Sequence, residues 1–164
     1  MASQRNYDEA FKLFDDGRRL YAELGDQKGI AAAVTALGAN RRLCGDLNAG
    51  RGWLEQALGM YRALEDRPGI AGAAANLADV LNAQGEHRAA GTLMQETLEI
   101  FRQLGDSSGV AWSLNRLGDI AYHQAGELSE ARRLYGEPAE IFRAIGDRWG
   151  MARSYADLGF VACQ

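Results

Sequence analysis

The chain repeats itself at intervals of 40 residues. Leu24-Gly25-Asp26 returns as Leu64-Glu65-Asp66, Leu104-Gly105-Asp106 and Ile145-Gly146-Asp147. A glycine follows each aspartate by three positions: Gly29, Gly69, Gly109 and Gly150. An aromatic precedes each leucine position by three: Tyr21, Tyr61, Phe101 and Phe142. Successive glycines are 40, 40 and 41 residues apart. Self-similarity at this period marks stacked helical hairpins, each unable to bury its apolar faces alone, and not one closed globule.

The third copy shows why the units are helical. Asp106 can accept the backbone N–H groups that a helix start leaves unpaired. Val110, Leu114, Leu117 and Ala121 then recur at helical spacing on one face. Gly118 follows Leu117, and Gly38, Ala78 and Gly159 hold the same place in the other copies, so a neighbouring helix can approach closely. Gly126, equivalent to Gly85 and Gly45, is the expected C-cap of this helix, A. A second helix, B, is expected from about Ser129 to Ile145, with Ala131, Leu134 and Tyr135 heading its apolar stripe. Abundant alanine and only two prolines agree with helix throughout.

These features resemble the tetratricopeptide repeat. The residues that carry the likeness are Leu117-Gly118, Gly126, Ala131 and Tyr135, with Leu37-Gly38, Gly45 and Leu54, and Leu77-Ala78, Gly85, Ala90 and Met94. The family's ordinary unit is shorter and has a proline after helix B. This chain lacks that proline, and it resembles the long variant found in bacterial multidomain signalling ATPases, antibiotic-pathway transcription activators and spindle-orientation adaptors. The resemblance implies an all-α, right-handed superhelical stack of antiparallel hairpins, an α-solenoid of about eight helices. It also implies a protein-binding or peptide-binding module, a fragment of a larger bacterial regulatory or scaffold protein. The alternatives are a self-associating spacer array without a peptide ligand and, least favoured, an enzyme.

On this reading residues 1–164 form a single repeat domain: a half repeat at 6–25, repeats at 26–65, 66–105 and 106–146, and a half repeat at 147–164. The first helix is a helix B without its helix A, and the last a helix A without its helix B. Their apolar stripes, Phe11, Phe14 and Leu20 at one end and Tyr155, Leu158 and Val161 at the other, are expected to be exposed and to support self-association. Two irregularities fall in the third repeat. One extra residue lies within positions 120–125. Pro138 falls inside helix B, where it removes a hydrogen bond to the Leu134 carbonyl and predicts a kink or break.

Catalytic groupings do not emerge. The glycines sit at repeat boundaries, which accounts for them without a phosphate loop. His87 is expected as a solvated turn residue, and His123 near the end of a helix A. Cys44 and Cys163 are single thiols without metal-ligand spacing. The expectation is therefore no enzyme, no metal and no cofactor. A net charge of −4 argues against direct nucleic-acid binding. No apolar run approaches the ~18 residues that span a membrane, and the location expected is cytoplasmic. Among the tryptophans, Trp53 is expected to pack between repeats.

In the family, helix A lines the concave, ligand-facing surface. Carried over position by position, the resemblance implies Asn76, Asp79 and Asn82 in the second repeat. In the third it implies Trp112, Arg116, Asp119 and Tyr122, and Asp157 lies beyond. These supply hydrogen bonds, charges and an aromatic contact to an extended or helical peptide. The first repeat offers Ala32, Ala36, Ala39, Arg42 and Leu43 there, an emptier surface.

Overall fold

Each of the four Asp-x-x-Gly sequences starts a helix in the same way. The Asp26, Asp66, Asp106 and Asp147 carboxylates accept the backbone N–H of Gly29, Gly69, Gly109 and Gly150 at 2.9–3.3 Å. The glycine is required by the aromatic eight residues earlier. A Cβ on Gly29, Gly69, Gly109 or Gly150 would lie inside the van der Waals surface of the Tyr21, Tyr61, Phe101 or Phe142 ring, respectively. Aromatic, aspartate and glycine are thus one packing unit: the ring that ends a helix B lies against the backbone that begins the next helix A.

The turn between them is a Schellman-type cap. Asp26 N–H bonds the Tyr21 carbonyl and Gly25 N–H the Ala22 carbonyl, with equivalent pairs at each boundary. The residue before each aspartate is left-handed: Gly25 at φ 71°, Gly105 at 69° and Gly146 at 75°. Glu65 occupies the same place at φ 54°, although it is not glycine.

The structure, a computed structural model, describes residues 2–124 and 128–163, with side chains from residue 6 onward. Among these it has eight α-helices and no strand. They are α1 (Ala2–Glu23), α2 (Gln27–Leu43), α3 (Leu47–Ala63), α4 (Arg67–Ala83), α5 (His87–Leu104), α6 (Ser107–His123), α7 (Leu128–Ile145) and α8 (Arg148–Ala162). Even numbers are the A helices, odd numbers the B helices. The chain divides into two compact bodies, residues 1–84 and 85–164.

In the first body α1 packs on α2, α2 on α3 and α3 on α4. Gly38 sits under Leu54, whose Cγ lies 2.6 Å from where a Cβ would be, so the glycine sets how closely α2 and α3 meet. Asn40 donates from Nδ2 to the Tyr7 carbonyl at 3.1 Å, tying α2 to α1. Of the stripe expected to be exposed, Phe14 and Leu20 are exposed and Phe11 is half-buried. Its ring lies 6.2 Å from that of Trp53, and the Arg41 guanidinium lies over it at 3.8 Å. Trp53 thereby packs between helices B of successive repeats, as expected.

In the second body α5 packs on α6, α6 on α7 and α7 on α8. Gly118 sits against Tyr135, whose Cε1 is 2.6 Å from a hypothetical Cβ. Ser154 and Asn115 are both buried and meet at 3.1 Å, a polar link from α8 to α6. Val161, expected to be exposed, is buried.

Helix α7 does not break at Pro138. The proline is fully buried in a row with Ala131, Leu134, Tyr135, Ala139 and Phe142. Packing along that row holds the helix through the missing hydrogen bond. The extra residue of the third repeat does not disturb α6 either. Ser107–His123 matches Arg67–Ala83 position for position. The excess therefore falls after Gln124, in a connection that lies outside the described residues, as does Gly126. Tyr122 and His123 consequently keep the helical positions of Asn82 and Ala83.

Candidate functional site

Helices α4 and α6 are buried on most sides. In α6, Gly109, Ala111, Ser113–Asn115, Leu117, Gly118, Ile120 and Ala121 are buried. Trp112, Arg116, Asp119 and Tyr122 are half-exposed and His123 is exposed. They form a stripe at helical spacing. In α4 the corresponding stripe is Gly72, Asn76, Asp79, Asn82 and Ala83, between buried Ala71, Ala73–Ala75, Leu77, Ala78, Val80 and Leu81. In α2 it is Ala32, Ala36, Ala39, Arg42 and Leu43. Every site residue read from the sequence in α4 and α6 therefore lies on the open stripe of its helix.

In the first body, Asn76 turns its amide onto its own helix and donates to the Gly72 carbonyl at 2.9 Å. Asp79 and Asn82 stand half-exposed one and two turns on.

The second body holds a denser arrangement. The Tyr135 hydroxyl of α7 donates to Asp119 Oδ1 at 2.7 Å. From α8, Arg153 donates through Nε to Asp157 Oδ2 at 2.7 Å and approaches Asp119 Oδ2 at 3.5 Å. One guanidinium thus stands between two carboxylates drawn from α6 and α8. Burial pushes the Asp119 carboxyl above its usual range, against the opposing effects of Tyr135 and Arg153. Burial, and then the hydrogen bond to Asp119, pushes the Tyr135 phenol up as well. The bond to Asp157 holds the Arg153 guanidinium charged. The arrangement offers mixed-charge hydrogen bonding of the kind that positions a peptide.

Aromatic rings flank it. Tyr122 meets Phe160 edge-on at 5.4 Å and His123 at 5.5 Å. Trp112 is on the stripe, but its ring packs on Phe142 at 4.8 Å and on exposed Trp149 at 5.1 Å. It wedges between the end of α7 and the start of α8. His87, expected as a solvated turn residue, is the first residue of α5 and half-buried, stacked on His123 at 5.9 Å. Among the described residues no group of three or more His, Cys, Asp or Glu could hold a metal ion. No helix of the described residues is long and apolar enough to cross a membrane.

Sequence reasoning missed Tyr135 as a member of this arrangement and read it only as the head of an apolar stripe. A signal was present. Leu54 and Met94 occupy the equivalent position, so a hydroxyl stands where the other repeats are purely apolar.

Residues 69–144 match the tetratricopeptide repeat family. No curated protein matches the sequence. Several solved structures share the fold. BtubC (BKLC) from P. vanneervenii has a TM-score of 0.77 at 22% identity, covering 98% of this chain and 66% of that one. A Rap protein complexed with Competence and Sporulation Factor has a TM-score of 0.87 at 19% identity, covering 98% and 45%. A Signal Transduction ATPase with Numerous Domains from Pyrococcus horikoshii, with a tetratricopeptide repeat sensor, has a TM-score of 0.83 at 20% identity, covering 99% and 25%. The chain thus spans two thirds or less of each of these. The fold is all-α, a tetratricopeptide-like α-solenoid.

Proposed function

We propose that the chain is a protein–protein interaction module of the tetratricopeptide repeat kind, whose open helix-A stripes receive an extended or helical peptide segment of a partner. The observation that carries this reading is the change in the stripe along the chain. Three alanines of α2, followed by Arg42 and Leu43, give way to Asn76, Asp79 and Asn82 in α4. In the second body Trp112, Arg116, Asp119 and Tyr122 follow, with Asp157 beside Arg153. Solvated helix faces have no need of a buried tyrosine to orient a carboxylate, yet Tyr135 holds Asp119 in place. The carboxylates of Asp79, Asp119 and Asp157 suit a segment of mixed or basic charge.

The wider role proposed is recognition within a larger bacterial regulatory or scaffold protein, located in the cytoplasm and without catalysis of its own. The Rap complex and the repeat sensor of the Pyrococcus horikoshii ATPase support such a role by likeness of fold. Peptides selected from a random library on the immobilised chain give a probe. Its affinity for the Asn76→Ala, Arg116→Ala double variant should fall at least about tenfold, equivalent to about 1.4 kcal/mol. Unchanged affinity in a variant with wild-type circular dichroism refutes the surface.

A further inference from the structure

The seam between successive helices B is packed differently in the two bodies. In the first, the Phe11 ring of α1 lies 6.2 Å from that of Trp53 in α3, and the Arg41 guanidinium of α2 lies over it at 3.8 Å. The same three repeat positions in the second body hold Gly91, Leu134 and Ala121. Smaller side chains thus stand where two rings and a guanidinium fill the first seam. One turn further along α1, Arg18 donates from Nε to Asp15 at 2.8 Å, an ion pair on the surface of that seam. Gln95 and Leu98 hold those places in α5.

Between α5 and α7 the second body has a cavity of about 340 Å³. That volume falls within the roughly 300–1,000 Å³ of small-molecule sites. Its floor is Leu98, Leu114, Leu117 and Leu134, none more than 8% exposed, so it is apolar and set back from water. The charges at its mouth are unevenly satisfied. On the α7 side, Arg133 donates from Nε and Nη2 to the Glu130 carboxylate at 2.9 and 2.7 Å, and Glu137 adds to its attraction. On the α5 side, Arg102 is exposed and pairs with no acid among the described residues. Arg102 also lines a second cavity, of about 250 Å³, beside Phe101, Val110 and Ile141. A guanidinium without a counter-ion therefore stands at the edge of an apolar hollow, and its planar fork of N–H donors suits a carboxylate.

We propose that the α5–α7 cavity binds a small amphiphilic monocarboxylate, its hydrocarbon chain on the four leucines and its carboxylate on Arg102. A single charge at one end fits the mouth, because Glu130 and Glu137 repel a second anionic group on the α7 side. The site uses none of the residues proposed for peptide binding, so either reading can fail alone.

Titration of the chain with decanoate and octanoate, followed by nuclear magnetic resonance of isotope-labelled leucine methyls, tests it. The methyls of Leu98, Leu114, Leu117 and Leu134 should shift saturably, with a decanoate Kd of about 1 mM or below. Those of Leu13 and Leu24, 67% and 78% exposed, should not shift. Octanoate, shorter by two methylenes, should bind about tenfold more weakly. Arg102→Glu, at an exposed position, should weaken both carboxylates at least about tenfold and leave octanol unchanged. Leu134→Trp introduces the residue that the first body has at this position and, with wild-type circular dichroism, should abolish binding. The proposal is overturned by the absence of a saturable shift up to about 10 mM decanoate, or by shifts centred on other leucines. Carboxylate affinity unchanged in Arg102→Glu overturns it too, as does a folded Leu134→Trp that binds like wild type. If Leu134→Trp does not fold, Arg102→Glu decides alone.

Discussion

Glu65 is the one residue of the four inter-repeat turns that the backbone does not suit, and replacing it with glycine should stabilise the first body. Its φ of 54° lies in the left-handed region, where its three equivalents are glycines at 69–75°. An L-residue there costs about 1–2 kcal/mol relative to the right-handed form. Glycine removes that strain but adds unfolded-state entropy worth about 0.4–1 kcal/mol. The turn's hydrogen bonds, Glu65 N–H to the Arg62 carbonyl at 3.1 Å and Asp66 N–H to the Tyr61 carbonyl at 3.0 Å, are backbone bonds that glycine keeps. The glutamate charge sits between the negative end of α3 and the positive end of α4, so its two dipole contributions oppose each other. The balance favours Glu65→Gly by about 0.5–1 kcal/mol, or about 1–4 °C for a chain of this size. The mirror change, Gly105→Glu at φ 69°, should lose a similar amount in the second body. Urea and thermal unfolding followed by circular dichroism read both, and a repeat array that melts in parts reports each body as its own transition. A Glu65→Gly midpoint at or below wild type, with Gly105→Glu unchanged, would refute the assignment of strain to this turn.

Three further outcomes follow from the same contacts. Asp106→Ala removes the carboxylate that accepts Gly109 N–H at 2.9 Å, and urea unfolding should register a loss of about 1 kcal/mol. Gly109→Ala pushes a methyl into the Phe101 ring. Overpacking of about 1–3 kcal/mol should exceed the gain of up to about 1 kcal/mol from alanine's helix propensity, giving a lower unfolding midpoint. Burial raises the folded-state pKa of Asp119 above the ordinary carboxylate range, so the folded chain binds this proton more tightly than the unfolded one. That contribution is present at low pH and is lost as pH climbs from about 4 through the raised folded value. Asp119→Asn should therefore melt no lower than wild type at pH 7, with any advantage vanishing as pH falls toward 4; a lower melting point at neutral pH would mean that Tyr135 and Arg153 outweigh burial.

The repeat boundaries were legible because one small group of residues fixes them. Aromatic, aspartate and glycine must coincide for the ring to lie on the glycine backbone while the carboxylate caps it, and that requirement leaves an unmistakable spacing. Helix α7 was less legible. A proline inside a helix signals a break by local rules, but the burial of Pro138 with Leu134, Tyr135 and Phe142 is a tertiary fact that overrides them. The same limit applied to Phe11 and Val161. Helical spacing assigns each to an apolar stripe without telling which neighbouring helix covers it, and Trp53 with Arg41 covers the first. For the stripe of α4 and α6, position in the repeat was enough to find the exposed residues. Their partners were not, because Tyr135 reaches Asp119 from another helix and Arg153 from a third.

These differences indicate where a repeat chain carries its individual chemistry. Positions that build the stack must recur, since each copy makes the same contacts with its neighbours. Residues that depart from the repeat carry what is particular to one copy. The Tyr135 hydroxyl meets Asp119 from the position where the other repeats have Leu54 and Met94. Ser154 and Asn115 are a second polar pair, set where the second repeat has Ala73 and Ala75. Both pairs lie among α6, α7 and α8, around the arginine that stands between Asp119 and Asp157. These polar contacts between helices, and not exposure alone, set the second body apart from the alanine-rich face of α2. Under the proposed function they are where a partner's identity would be read.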